Sequence, residues 1–121
     1  LMEKKLAGRW GELKAAEYLK KRRYRIVGMN YACRYGEIDI IAENREFVVF
    51  CEVKLRKDDS FAQAMEFVTP SKQRKIISAA LQWLSENPTE LQPRFDVIEI
   101  YAPEGSASRE IRINHIENAF M

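Results

Sequence analysis

Two β-rich runs separated by a short polar connection constrain the fold of this chain more than any other feature. Residues 36–42 read Gly-Glu-Ile-Asp-Ile-Ile-Ala, and residues 47–55 read Phe-Val-Val-Phe-Cys-Glu-Val-Lys-Leu. Between them, Asn44-Arg45-Glu46 has the character of a tight hairpin connection. We therefore predict an antiparallel hairpin whose strands carry charged residues inside strongly apolar runs.

The register of this hairpin follows if its centre lies between Arg45 and Glu46. Asp39 is then opposite Glu52 and Glu37 is opposite Lys54, and all four side chains share one face because the side-chain period of a strand is two. The other face would be a core surface made of Ile38, Ile40, Ala42, Val49, Cys51 and Val53. A slip of one residue would move these apolar groups into water, which favours the register chosen.

The predicted opposition of Asp39 and Glu52 points to a metal site. Their Cβ atoms would lie about 5 Å apart, and two such carboxylates repel each other unless a cation lies between them or one takes up a proton. Hard oxygen ligands suit Mg²⁺ or Mn²⁺, a backbone carbonyl such as that of Val53 can add a ligand, and Lys54 can orient water or balance charge. The alternative is an ordinary exposed ladder of charges in which Glu37 and Lys54 form a surface salt bridge.

Helical periodicity appears in two other stretches. An amphipathic helix is predicted over residues 3–22, and Thr69-Pro70 predicts the N-cap and first residue of a second helix that ends at Asn87-Pro88. The apolar stripe of the first helix is Leu6, Trp10, Leu13, Ala16 and Leu19; that of the second is Ile76, Ile77, Ala80, Leu81 and Leu84. We assign Trp10 and Trp83 to core packing rather than to base stacking.

Three further strands complete the predicted architecture. They cover residues 24–31, 94–101 and 110–114, so the order is αβββαβ with a trailing strand. Because the second helix is long enough to cross over between strands, we expect an α/β fold with a mixed central sheet flanked by helices.

Glu12 is a candidate to join the hairpin acids. It falls on or beside the apolar stripe of the first helix, whereas a charge without a role should point away from it. Gly8 and Gly11 each cost the helix about 1 kcal/mol relative to alanine, which suggests a close approach to the sheet or to a phosphate. The alternative is a glutamate at the rim, paired with a lysine.

Composition sets the wider limits. With 121 residues, 46% of them hydrophobic, the chain suits a single domain over residues 1–121. No stretch approaches the roughly 18 apolar residues of a membrane span, so we expect a cytoplasmic protein with no membrane association. Cys33 and Cys51 have only one histidine beside them in the composition, which argues against a zinc site or a disulfide framework, and we expect His115 to be an ordinary surface or edge residue.

The basic residues bunch into three clusters although the net charge is only +2. The clusters are residues 20–25, 54–57 and 72–75. Each is either a solvated face or a surface that follows phosphates.

Several motifs together resemble the YraN-like family of small bacterial proteins, over nearly the whole chain. They are Gly8 with Gly11-Glu12, the run Gly36 to Ala42, Glu52-Val53-Lys54 with Arg56, and Arg94-Phe95-Asp96-Val97-Ile98. The family is similar in pattern to archaeal Holliday-junction resolvases and to the PD-(D/E)xK nucleases. The resemblance implies a restriction-endonuclease-like αβββαβ core and, by analogy with resolvases, a homodimer.

The resemblance also implies roles for individual residues. Asp39 and Glu52 match the two metal-binding acids, Lys54 matches the catalytic lysine, and Glu12 matches the helical acid that assists metal or water. Glu37 belongs to the family signature as a further metal ligand. The residues expected to contact nucleic acid are Arg34, Arg56, Lys72, Gln73 and Lys75.

Three functions remain open at this stage. The first is a Mg²⁺- or Mn²⁺-dependent endonuclease acting on DNA, including branched or otherwise structured DNA, with recognition through backbone and shape. The second is a module that binds nucleic acid or another partner without cleaving. The third is a structural cation site that supports a complex.

Overall fold

Five strands pair in sequence order to form one mixed sheet. The computed structural model describes residues 2–57 and 68–121, and side chains from residue 6 onward within those ranges. The strands are β1 (Arg25–Cys33), β2 (Gly36–Glu43), β3 (Phe47–Arg56), β4 (Gln92–Tyr101) and β5 (Arg112–Ile116). All neighbouring pairs are antiparallel except β3 and β4, which are parallel. The mixed sheet flanked by helices is the architecture that the sequence predicted.

Within the described residues, two α-helices pack against this sheet. They are α1 (Met2–Lys21) and α2 (Pro70–Glu86), and α2 makes the crossover between the parallel strands. The Thr69 hydroxyl accepts a hydrogen bond from the backbone N–H of Lys72 at 3.2 Å, and Asn87 caps the other end by donating its N–H to the Trp83 carbonyl at 2.8 Å. Both predicted ends of α2 are therefore confirmed. A short 3₁₀ turn at Gly105–Ala107 was not predicted.

Both faces of the sheet are buried, which corrects the prediction of one core face and one charged face. On the α1 side, Ala15, Ala16 and Leu19 pack on Ile40, Ala42, Val49, Cys51, Ile98 and Ile100. On the α2 side, Ile76, Ala79 and Trp83 pack on Ile38, Ile41, Val48, Phe50, Phe95 and Val97. Helices on both faces are the usual reason why central strands read as nearly continuous apolar runs.

Asp39 marks a break in the alternation of β2. Ile38 packs on the α2 side and Ile40 on the α1 side, although two residues apart on a regular strand should share a face. The predicted register is confirmed for the pairs from Glu43–Val48 to Ile40–Cys51. The ladder described between β2 and β3 stops there, so the pairing expected between Glu37 and Lys54 is not formed. The two strands therefore part at Asp39.

The helices present different faces from those expected at three positions. Leu6 and Leu13 are 64% and 53% exposed, and Leu81 is 63% exposed. On α1 the contact instead runs through small residues, since Gly11 and Ala15 are buried and an added Cβ on Gly11 would lie only 3.8 Å from the Leu55 Cβ. The small residues let α1 lie close to the sheet, with Leu19 buried and with Leu6 and Leu13 turned outward. Neither helix, within the residues described, has the length and apolar character needed to cross a bilayer.

Candidate active site

The two strands that part at Asp39 create the candidate site. The Asp39 side chain takes the role that a backbone carbonyl of β2 would have in a continuous ladder. Its Oδ2 accepts a hydrogen bond from the Val53 N–H at 2.8 Å. The half-buried carboxylate is thereby held in one orientation by the backbone of β3. The break in the ladder is what turns a residue of a central strand into part of a site.

Glu52 lies in hydrogen-bond contact with Asp39. Its side chain is almost completely buried, which excludes the exposed charge ladder as a reading of these acids. Burial first, and then the hydrogen bond and negative charge of Asp39, raise the pKa of Glu52 to about 8, while Lys72 and Lys54 act in the opposite direction. Without a further cation, burial beside Asp39 therefore favours the protonated form of Glu52.

Lys72 provides positive charge from α2. Its Nζ lies 3.7 Å from Oε2 of Glu52. The prediction placed Lys72 among the phosphate contacts, and the structure places it against the acid pair. Lys54 is half-buried on the same strand as Glu52 and two residues beyond it, so both point to the same side of β3.

Glu12 approaches the same acids from α1. Burial raises the pKa of its half-buried carboxyl, a hydrogen bond from the Asn30 side chain acts against this, and the negative charge of Asp39 adds to the rise. The effect of Asp39 on the pKa of Glu12 indicates that α1 turns Glu12 toward the hairpin acid. Sequence reasoning missed Asn30, which lies on β1 with a φ of 52°, a conformation that asparagine tolerates better than most residues.

The donor atoms at this site fit a hard divalent cation to which the protein supplies only a few of the ligands. Asp39 and Glu52 offer carboxylate oxygens in contact with one another, and that arrangement favours either a shared proton or a shared cation. Over residues 2–57 and 68–121, no group of three or more acidic, histidine or cysteine side chains is arranged to hold a metal. Glu37 is exposed, and its place as a third ligand stays a prediction.

The residues expected to contact nucleic acid separate into two groups. Arg34 is exposed in the β1–β2 turn, and Gly36 beside it packs so closely on α2 that an added Cβ would lie 3.2 Å from the Lys75 carbonyl oxygen. Arg34 and the exposed Lys75 thus occupy neighbouring elements at one edge.

Gln73 and Arg56, like Lys72, have partners inside the protein. The Gln73 amide donates to the Val68 carbonyl at 2.9 Å, and Arg56 pairs with the buried Glu99, with Nε and Oε2 3.3 Å apart. These contacts orient both side chains before any ligand arrives.

A buried polar cluster on the α1 side was missed from the sequence. Arg94 donates from Nε and Nη2 to the two oxygens of Asp96 at 2.9 and 2.8 Å, and His115 Nε2 lies 2.6 Å from Asp96 Oδ2. Tyr18 adds its hydroxyl, 3.1 Å from His115 Nδ1. His115 does lie on an edge strand, β5, as predicted, but its side chain is not at the surface, since it is only 6% exposed. The available signal was that Arg94 and Asp96 lie two apart on one strand and so share a face.

The arrangement defines a class of protein. A mixed five-stranded sheet, a helix on each face and acids on the second and third strands constitute a restriction-endonuclease-like α/β core. Fold alone leaves the activity open.

The chain belongs to the uncharacterised protein family UPF0102, whose profile matches residues 11–100. It is 42% identical to the UPF0102 protein of Caldanaerobacter subterraneus subsp. tengcongensis over 120 residues, covering 98% of each chain. It is 44% identical to the relative from Geobacter sulfurreducens over 117 residues, covering 96% of this chain and 89% of the other. The relative from Vibrio parahaemolyticus is 41% identical over 121 residues, covering 98% and 95%. Membership confirms the resemblance to the YraN-like family.

Proposed function

We propose that this protein is a metal-dependent endonuclease that hydrolyses phosphodiester bonds in DNA, including branched or otherwise structured DNA. The observation that carries the proposal is the contact between Asp39 and the buried Glu52, beside Lys54. Burying two acids in contact opposes folding, and a chain that only needed a stable sheet would be better served by apolar residues at these positions. A site that handles phosphate chemistry gives the pair a use.

Each side chain has a distinct task in this proposal. Asp39 and Glu52 would hold Mg²⁺ or Mn²⁺, which when bound supplies positive charge that offsets the charge developing on the phosphate. Lys54 offers an ammonium group to the phosphate or to the attacking water. Glu12 takes the proton that the water loses, because burial raises its pKa and makes it a stronger base than an exposed glutamate.

The first experiment measures cleavage of labelled single-stranded, duplex, flap and four-way-junction DNA with Mg²⁺ or Mn²⁺. We expect wild type to cut at least one of them, and Asp39→Ala and Lys54→Ala each to lower the rate at least about 100-fold with binding retained. Glu12→Gln should lower the rate about 10- to 100-fold.

The matched control for Glu12→Gln is Glu17→Gln. Glu17 is an exposed glutamate on the same helix whose side chain contacts only Lys14 among the described residues, at 3.4 Å. Its replacement should leave the rate unchanged. Equal losses in the two variants would remove Glu12 from the mechanism.

A second candidate function is a nucleic-acid-binding or partner-binding module that does not cleave. It is favoured by the position of Lys72, whose ammonium group partly satisfies Glu52 without any metal. Wild-type protein that binds the DNA panel and never cuts it would establish this function in place of the first. Protein that neither binds nor cuts would contradict both.

A further inference from the structure

The basic run at the end of α1 has no place in the site described above, yet it lines a concave surface of its own. Arg22, Arg23, Asn44, Arg45 and Glu46 surround a space of about 390 Å³ between the end of α1 and the β2–β3 connection. We call this surface the arginine cleft. It brings together residues that are about 20 positions apart in the sequence.

The charges of the arginine cleft are not neutralised within the described part of the chain. Arg23 and Arg45 form no ion pair with any residue in 2–57 or 68–121, and Arg22 stacks on the Tyr18 ring with its guanidinium carbon 4.8 Å from the ring centroid. Arg25 in the same run differs, since its Nη2 lies 2.6 Å from Glu43 Oε1. Glu46 is the acid that lines the cleft, against three arginines.

Arginine is well suited to phosphate. Its planar guanidinium presents paired N–H groups that match two phosphate oxygens at once, and it remains charged at any physiological pH. Two arginines without ion-pair partners among the described residues, and a third whose guanidinium lies over a tyrosine ring, therefore form a surface that favours a dianionic or polyanionic ligand.

The position of the arginine cleft relative to the acids restricts which ligand can use both. Glu46, directly before β3, precedes Glu52 by six residues, which corresponds to about 20 Å at about 3.3 Å per residue. Arg22, directly after α1, follows Glu12 by ten residues, or about 15 Å along the helix. A ligand that touches both must span about 15–20 Å, which is roughly five base pairs of duplex at 3.4 Å each.

We propose that the arginine cleft, formed by Arg22, Arg23 and Arg45, is a second phosphate-binding site that holds the backbone of a nucleic-acid duplex about 15–20 Å from the acid pair. It anchors the duplex through its phosphates and reads no base, because an arginine–phosphate contact carries no sequence information. The inference shares with the proposed function its ligand, nucleic acid, and does not require that the ligand be cut.

The test measures the affinity of a fluorescent 20-base-pair duplex by anisotropy in EDTA, where metal-dependent cleavage is absent. We expect the double variant Arg23→Gln/Arg45→Gln to bind at least about 10-fold more weakly than wild type. The slope of log K against log salt should become shallower by about 1–2, because each phosphate contact contributes about 0.9.

Two single variants serve as matched controls. Arg25→Gln removes the same charge two residues away from Arg23, but from an arginine already paired with Glu43, and should change affinity less than about twofold. Glu46→Gln removes the acid of the cleft and should tighten binding about two- to threefold. An Arg25→Gln loss as large as that of Arg23→Gln would overturn the cleft as a defined site and leave only general charge attraction.

The outcomes separate this inference from the proposed nuclease activity. Binding through the arginines without cleavage would overturn the nuclease and support the cleft, whereas cleavage unaffected by the arginine variants at limiting DNA would overturn the cleft alone. Binding of inorganic pyrophosphate tests whether the cleft takes a free phosphate compound rather than the backbone of a duplex. Tight binding of pyrophosphate that depends on Arg23 and Arg45, with no effect of these residues on duplex affinity, would contradict the duplex as ligand.

Discussion

At the scale of single residues, Asp96 shows how a buried charge is made tolerable. Its carboxylate is fully buried and is contacted by the Arg94 guanidinium, His115 and the Asn118 N–H. Burial alone would raise its pKa, but the hydrogen bonds from His115, Arg94 and Asn118 outweigh burial and lower the pKa of Asp96 below 3.8. The cluster ties β4, β5 and the C-terminal segment together.

Removing the Asp96 charge should destabilise the protein strongly. Asp96→Asn removes the buried carboxylate 2.8 Å from Arg94 and leaves that cation with the exposed Glu117 carboxylate at 3.8 Å, so we expect a loss of about 3–5 kcal/mol in the free energy of unfolding, measured by urea denaturation at pH 7. Because the folded-state pKa of Asp96 is lowered, its contribution is present above the unfolded-state pKa and is lost as the pH falls through the folded-state pKa. The difference in the free energy of unfolding between wild type and Asp96→Asn should therefore become smaller below about pH 4. Arg25→Gln, which breaks an exposed pair, should cost less than about 1 kcal/mol.

Glu52 should give the opposite pH dependence. Its folded-state pKa is raised from 4.5 to about 8, so its contribution to stability is complete below pH 4.5 and is lost as the pH rises through about 8. In EDTA, Glu52→Gln should therefore be more stable than wild type at pH 8, on the order of 2 kcal/mol, and equal to it at pH 4. Thermal unfolding across this range checks the prediction, and a variant less stable than wild type at pH 8 would contradict it.

At the scale of elements, Gly8 of α1 and Gly36 of β2 differ in whether the packing around them requires a glycine. A Cβ on Gly8 would meet nothing within 4 Å in the described structure, so the close approach expected at this position is absent. A Cβ on Gly36 would instead meet Lys75 Cβ at 3.1 Å and its carbonyl oxygen at 3.2 Å. Contact between α2 and the start of β2 thus depends on a glycine, and the helix α1 does not depend on Gly8.

Gly8→Ala should stabilise α1 and Gly36→Ala should destabilise the α2–β2 contact. We expect a gain of up to about 1 kcal/mol from Gly8→Ala, because alanine is the better helix former. Gly36→Ala should cost about 1–3 kcal/mol, because the helix must shift away from the strand. Chemical denaturation of the two variants gives both values. A destabilised Gly8→Ala variant would show that the position serves a contact outside the described part of the chain.

At the scale of the whole molecule, the acids and the arginine cleft lie toward opposite ends of the hairpin. α1 runs along the sheet between them, with Glu12 near the acids and Arg22 in the cleft. In the functions proposed above, this small protein combines a site that repels phosphate until a cation is bound with a second site that attracts it. A divalent cation that binds the acids should then raise the stability of the folded protein.

Binding of Mg²⁺ to the acid pair should raise the melting temperature. A cation that binds only the folded state stabilises it by about 2.7 kcal/mol at 100 times its dissociation constant. We expect Mg²⁺ or Ca²⁺ to raise the melting temperature of wild type at pH 8 by several degrees and to leave Asp39→Ala unchanged. Glu46→Gln, an acid-to-amide change at the other end of the hairpin, is the control and should respond like wild type. An equal response in all three proteins would exclude the acid pair as the metal site.

Local patterns were enough to predict the elements of this fold. The hairpin register from Glu43–Val48 to Ile40–Cys51, the capped ends of α2 and the mixed sheet all follow from period, turn residues and caps, which act between residues close in the sequence. The same period places Glu52 and Lys54 on one side of β3. Helical periodicity singled out Glu12, and the family resemblance assigned it a role as an acid that assists metal or water.

Only the tertiary structure decided where β2 and β3 part and what that does to the acids. The hydrogen bond from the Val53 N–H to Asp39, the burial of Glu52 and its contact with Lys72 depend on how α1, α2 and the sheet pack, and so does the burial of His115 against Asp96. The physical reason is that a period assigns a side chain to a face, whereas burial and hydrogen bonding depend on which distant element covers that face. The sequence by itself therefore determined the strands and their acids, and packing alone determined that the half-buried Asp39 meets the buried Glu52 in a site.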